Sequence, residues 1–192
     1  MNGRLYGTTF EGGTAGQGYG TVYQVSASGK EHVIYSFLSN GQDGENPYAG
    51  VIAVKGKLYG TTQEGGANSE GTVFELTPIA GGRWKHTILY DFPQFQNGAG
   101  PVSTLAFDKA GNLYGTAAGG IETCSGGCGV VYKLTPGTDG KWTYSVLHRF
   151  TDKNDGAEPN GAVIFDKTGK HLYGTAIFGG TYNQGVVYEI TP

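Results

Sequence analysis

The sequence predicts an all-β fold built by repeating one sheet module, and three observations carry that expectation. Leu-Tyr-Gly-Thr occurs four times, beginning at Leu5, Leu58, Leu113 and Leu172, so successive copies lie 53, 55 and 59 residues apart. Around each copy, short segments rich in β-branched and aromatic residues recur in fixed order, bounded by Gly, Pro, Asn and Asp. No window shows a helical period, because Gly or Pro interrupts every stretch long enough to carry one.

Four kinds of segment make up the module. Segment A is Val51 to Val54, Leu105 to Asp108 and Val163 to Asp166, each starting four residues after a proline, Pro47, Pro101 or Pro159. Its near-continuous apolar character predicts burial on both faces. Segment B is the Leu-Tyr-Gly-Thr block. Segment C is Gly-x-Val-aromatic, at Gly20 to Tyr23, Gly71 to Phe74, Gly129 to Tyr132 and Gly185 to Tyr188. Its alternation puts Tyr23, Phe74, Tyr132 and Tyr188 in one column and the polar Gln24, Glu75, Lys133 and Glu189 in another. Segment D ends in an aromatic, at Ile34 to Phe37, Leu89 to Phe92 and Leu147 to Phe150, with Trp84 and Trp142 ahead of two copies.

Four antiparallel strands in a unit of this length match a propeller blade. The expectation is a single β-propeller over residues 1–192, with repeats at about 1–48, 49–102, 103–160 and 161–192. The chain enters at B and leaves after C, so the first and last blades are incomplete. Open sheet edges expose unpaired backbone groups, which predicts self-association or membership of a larger ring. The Tyr of each B segment is expected to pack between sheets with its hydroxyl bonded.

Composition narrows the function. With 13 basic and 16 acidic side chains the net charge is −3, and no Lys/Arg cluster could follow a phosphate backbone, so nucleic acid is not an expected partner. No apolar run reaches membrane-spanning length, and the first residues lack a secretory pattern. The two cysteines, Cys124 and Cys128, flank Ser-Gly-Gly, which favours a local disulfide over a zinc site that would need further ligands.

The order of an apolar strand, a Gly-Asn-Leu-Tyr strand closed by Gly-Gly, then Val-Tyr, then Trp resembles kelch-type propellers. More specifically, Leu-Tyr-Gly-Thr-Thr, Gly-Gly, Gly-Thr-Val-Phe-Glu-Leu-Thr-Pro, aromatic-x-Phe and Asp-Gly-x-x-Pro together resemble the bacterial GloVer tandem-repeat family over essentially the whole chain. The resemblance implies a secreted or surface-anchored repeat protein and an extracellular or cell-surface location. It implies no particular reaction.

Candidate function lies in the B-to-C and D-to-A loops, expected on one face and rich in carboxylates, amides and aromatics. In the D-to-A loops, Asp43, Asn97 and Asp155 fall at one repeat position, each followed by Gly. The first reading of these pairs is a turn in which the side chain caps backbone amides and Gly takes a positive φ. The sharper reading is cation or sugar binding. Asp152, Asn154, Asp155 and Glu158 have the composition of a calcium loop, with spacing one residue short of the EF-hand pattern. In the B-to-C loops Gly-Gly suits close backbone approach between blades.

Three functional readings follow. The first is a non-enzymatic binding or scaffold module, with carbohydrate held by Tyr19, Asn46, Tyr48, Phe178 and Tyr182 and no cofactor required. The second is a glycan-cleaving enzyme, a hydrolase or lyase, drawing acids from Glu11, Glu64, Asp43, Asp155 or Glu158. The third is a purely structural surface repeat. Neither a nucleophilic triad nor a nucleotide fingerprint is present in the sequence.

Overall fold

A computed structural model describes residues 3–14, 18–93, 97–120 and 128–192. Among these residues the chain is all-β apart from one 3-10 turn at Ala80–Gly82, and it divides into two compact units, Met1–Asp91 and Phe92–Pro192.

The first unit holds a three-stranded sheet and a four-stranded sheet, both antiparallel. Strands β1 (Leu5–Thr9), β2 (Thr21–Val25) and β3 (Glu31–Ser36) form the first, in segment order B, C, D. After β4 (Gly44–Glu45), the second runs β5 (Ile52–Val54), β6 (Lys57–Thr62), β8 (Thr72–Pro78), β9 (Trp84–Asp91), in order A to D. The short β7 (Glu64–Gly65) pairs with β4. Lys55 and Gly56, both at positive φ, make the two-residue turn from β5 to β6.

The second unit repeats the plan. Strands β10 (Ala99–Pro101) and β11 (Ala106–Phe107) both pair with β12 (Leu113–Gly119), which continues to β13 (Val130–Pro136) and β14 (Trp142–Arg149). Strands β15 (Ile164–Phe165), β16 (Leu172–Ala176) and β17 (Val186–Ile190) complete it in order A, B, C.

Every A, B, C and D segment therefore forms the expected strand, with two differences. The A strands are two or three residues long and half-exposed, with Ile164 65% exposed, rather than buried on both faces. Among the described residues each pairs with only one neighbour. Strands β4, β7 and β10 are additional and arise inside the loops.

The core lies where sheets face each other inside each unit. Val22, Phe37, Leu58, Phe74 and Leu76 form one cluster; Tyr114, Val131, Phe150, Val163 and Leu172 belong to the other. One joint recurs: the aromatic ending segment D meets the C-column aromatic of a following sheet edge-on. Phe37 meets Phe74 at 5.3 Å, Phe92 meets Tyr132 at 5.3 Å and Phe150 meets Tyr188 at 5.0 Å. Such pairs add about 0.5–1.5 kcal/mol each beyond the area they bury.

Three of the four tyrosines of segment B have the expected bonded hydroxyl. Tyr114 donates to Asp108 at 3.0 Å and Tyr173 to Glu189 at 2.6 Å, while Tyr59 is bonded to Glu75. Burial, followed by the bond to Asp108, pushes Tyr114 up to about 12. Two of the A-to-B turns are capped by acids. Asp108 accepts the Asn112 N–H at 2.8 Å and Asp166 that of Lys170 at 2.9 Å.

Candidate functional site

The loop end is built by backbone before any side chain matters. Asn46 donates its N–H to the Tyr19 carbonyl at 2.9 Å and accepts at its own carbonyl from Gln63 N–H at 3.0 Å. In the second unit Glu158 does the same, donating to Cys128 at 2.9 Å and accepting from Ile177 at 3.2 Å. These two D-to-A loops thus each cross between two B-to-C loops and join both, which puts the two loop classes at one end within each unit. Asn46, Gly100 and Glu158 share φ values of 56°, 58° and 53°, each just before its proline. The Thr of segment B holds the far side of the loop: Thr8 donates to the Ala49 carbonyl at 2.9 Å and Thr116 to that of Gly161 at 3.2 Å.

Glycine is demanded by this crossing. A Cβ on Gly65 would stand 2.6 Å from the Glu45 nitrogen, and one on Gly120 2.6 Å from that of Ala99, so Gly-Gly does permit close backbone approach. The Asp-Gly and Asn-Gly pairs follow the turn reading with one exception. Gly98 and Gly156 have φ of 98° and 100°, but Gly44 does not take a positive φ. It is required by space, since a Cβ there would meet the paired hydroxyls of Thr62 and Thr72.

The repeated acid position is committed to this scaffold. Asp43, 5% exposed, accepts from the Tyr35 hydroxyl at 2.8 Å, from Leu38 N–H at 3.0 Å and from Gly44 N–H at 2.9 Å. Burial, reinforced by Asp43, pushes the Tyr35 phenol above its ordinary range. Asp155 accepts from the Thr151 hydroxyl at 2.5 Å and lies 3.2 Å from His148 Nε2. Burial works against its ionised form, but the Thr151 and His148 bonds outweigh it and hold the carboxyl below its ordinary range. His148 stands where Tyr35 stands in the first repeat, and both reach the loop acid. The Asn97 amide oxygen accepts from Arg149 at 2.5 Å.

The remaining candidates are placed as follows. Glu11 is exposed in its loop, and Glu64, on β7, stands directly opposite Glu45 on β4. The sequence reading missed Glu45, although its position varies between repeats, with Ala99 and Ala157 elsewhere. Asn46 also donates its side-chain amide to the Phe10 carbonyl at 3.1 Å, and the Phe10 ring meets Tyr48 edge-on at 6.1 Å. Phe10 and Tyr48 are 42% and 66% exposed, an aromatic pair at the loop end. Tyr19 instead turns its ring onto the core cluster of the first unit. In the second unit Phe178 and Tyr182 are 45% and 85% exposed, with Phe178 bridged to Ala157. Asp152 and Asn154 are exposed, and no group of three or more His, Cys, Asp or Glu could hold a metal among the described residues. Cys128 is buried and not a free thiol; Cys124, and with it the expected disulfide, lies outside the described residues.

Solved structures share this fold. A luciferin-regenerating enzyme matches 99% of this chain over 58% of its own, at 17% identity and TM-score 0.62. A periplasmic gluconolactonase from Pseudomonas aeruginosa matches 89% over 46% of its own, at 15% identity and TM-score 0.55. An endo-arabinase from Bacteroides thetaiotaomicron matches 97% over 70% of its own, at 14% identity and TM-score 0.50. The chain thus spans about half the length of the first two. No curated protein sequence matches it. These likenesses make the fold propeller-like. The Gloeobacter/Verrucomicrobia repeat matches residues 1–192, and the chain belongs to that family.

Proposed function

We propose that this chain is a non-catalytic binding module of an extracellular or surface repeat protein, holding carbohydrate at its loop end. The observation that carries the reading is the exposed Phe10 and Tyr48 pair beside Asn46, on loops fixed by main-chain hydrogen bonds. Aromatic faces pack on the C–H faces of sugars, and fixed amides and carboxylates bond hydroxyls. Rigid loops lower the ordering cost of binding. Asp43 and Asp155 supply structure in this reading, since their oxygens are already engaged. Gluconolactonase and endo-arabinase are among the proteins sharing the fold, but fold does not carry activity, and the residues bear the argument.

A glycan array tests the reading. Retention of a glycan by the wild type and its loss in Tyr48→Ala, an exposed site whose replacement leaves the fold intact, supports it. Release of reducing sugar or unsaturated product would move the assignment to the glycan-cleaving alternative. That alternative is favoured by the opposed Glu45 and Glu64, and Glu64→Gln would then abolish release.

A further inference from the structure

We propose that the last sheet, β15 to β17, carries a ready-made groove for an extended peptide segment of the form Xaa-Pro-Xaa-small-Xaa-Val. The groove measures about 380 Å³ and is lined by Asn160, Gly161, Thr175, Ile177, Gly185 and Val187, among others. Two other sheets of the same chain show what fits such a place, because in them it is filled by the D-to-A segment that follows. On the first sheet the occupant is Asn46 to Val51, and on the β12 to β14 sheet it is Glu158 to Val163.

Four contacts hold each occupant, and the last sheet keeps the receiving half of all four. The N–H ahead of the proline goes to the residue before the segment C glycine, from Asn46 to the Tyr19 carbonyl and from Glu158 to that of Cys128, both at 2.9 Å. The matching Gln184 carbonyl accepts no backbone bond among the described residues. The proline then lies over the glycine: a Cβ on Gly20 would stand 2.5 Å from Pro47, and one on Gly129 2.4 Å from Pro159. Gly185 has the same left-handed backbone, with φ of 89° against 98° and 83°. Its nearest neighbours are the Ala176 and Ile177 carbonyls, counterparts of Thr9 and Phe10 beside Gly20, and no proline is among them. Two residues past the proline a carbonyl accepts from the segment B threonine, Ala49 from Thr8 at 2.9 Å and Gly161 from Thr116 at 3.2 Å. Thr175 is exposed, and its hydroxyl makes no hydrogen bond among the described residues. Four residues past the proline, Val51 packs in the cluster of Val22 and Val163 in that of Val131. Val22 and Val131 are fully buried, whereas Val187, at the same place in segment C, is largely exposed, so the apolar gain is still to be made. No charged side chain lines the groove, and main-chain bonds with one apolar anchor set the choice. The fixed φ of proline lowers the cost of ordering the segment. The partner is another repeat module of this kind, presenting its own D-to-A segment.

The groove lies in the second unit and shares no residue with the Phe10 and Tyr48 pair, so either reading can fail alone. An NMR titration uses the whole chain in a Leu5→Lys background, which keeps a second copy from competing for Val187, and a blocked peptide with the sequence Gly44 to Ile52. The amide signals of Thr175, Gly185 and Val187 are expected to move saturably, with a Kd of about 1 mM or tighter. A peptide carrying Val51→Asp should give no shift. In the protein, Val187→Lys at its exposed site should abolish binding, and Thr175→Val should weaken it about threefold to tenfold through the loss of one hydrogen bond. Tyr48→Ala in the protein should leave the titration unchanged. The proposal is overturned by no saturable shift up to ~10 mM peptide, by an equal response to the Val51→Asp peptide, by unchanged binding in Val187→Lys or Thr175→Val, or by loss of binding in Tyr48→Ala.

Discussion

Phe74 lies with its ring against Gly60, its cross-strand partner on β6, so closely that a Cβ on the glycine would stand 2.6 Å from the ring. The same relation holds for Gly7 under Tyr23, Gly115 under Tyr132 and Gly174 under Tyr188. The glycine of the fourfold tetrapeptide is therefore the seat of the C-column ring. Gly60→Ala is expected to cost about 1–3 kcal/mol by overpacking. Gly50→Ala, where nothing lies within 4 Å, should shift stability by less than about 0.5 kcal/mol. Urea midpoints of the two variants make the comparison.

The Tyr132 hydroxyl is buried and makes no hydrogen bond among the described residues, and burial pushes its pKa far up. The second repeat carries Phe74 at the equivalent position, so the joint works without the oxygen. Tyr132→Phe is expected to leave stability unchanged or raise it by up to about 2 kcal/mol, because an orphaned polar group costs roughly 1–3 kcal/mol. Thermal unfolding reads the sign, and a clear loss would show that the hydroxyl is bonded.

His86 is stacked on Tyr35 at 4.5 Å, with Nδ1 3.6 Å from Asp43 and Nε2 buried without a partner. Burial lowers its pKa below the ordinary 6.5, and Asp43 opposes this only in part. The unfolded chain then takes up a proton before the folded one does. Stability from this group is present above pH 6.5 and is lost as pH falls from there toward the folded value. His86→Phe should flatten that decline, read as urea midpoints at about pH 7.5 and about pH 5. An equal slope in both proteins would remove His86 as the cause.

Asn46 holds a φ of 56° while bonding both neighbouring loops through its backbone. Asn46→Ala should cost about 1–2 kcal/mol, the penalty of a Cβ in the left-handed region. Asn46→Gly should cost less, and Gly100 in the second such loop already occupies the same conformation. Equal costs in denaturant melts would remove the left-handed backbone as the cause, since both variants lose the side-chain bond to Phe10 alike.

Among the described residues strands β1 and β17 each have one edge without a pairing strand, with Leu5 74% and Val187 77% exposed on them. The expected outcome is self-association through these edges, seen as a rise in sedimentation coefficient with concentration and removed by Leu5→Lys and Val187→Lys together. A single compact monomer at every concentration would count against it.

The order and kind of the strands were legible because β-branched residues and glycine turns recur at one spacing. The tetrapeptide also announced its own packing, though not that its glycine lay under a ring. Strands β4, β7 and β10 were hidden, since Gly-Glu, Glu-Gly and Ala-Gly-Pro have no strand character and pair only because the loops cross. The opposition of Glu45 and Glu64 was hidden for the same reason: it depends on the register of two loops. Tyr48 and Asn46 could be picked out as loop residues, but nothing in the sequence set Phe10, whose place Gln63 holds in the next repeat, beside them. Trp84 shares its repeat position with Trp142, but the meeting of its ring with Tyr6 depends on the packing of two sheets and was not legible.

The loop crossing at Asn46 and Glu158 is sewn with main-chain atoms, which every amino acid carries. Positions flanking the stitch, such as Phe10, Glu45 and Tyr48, can exchange their letters while the seam stays intact. Such a repeat can diversify what it recognises one loop at a time, without renegotiating how its sheets are joined.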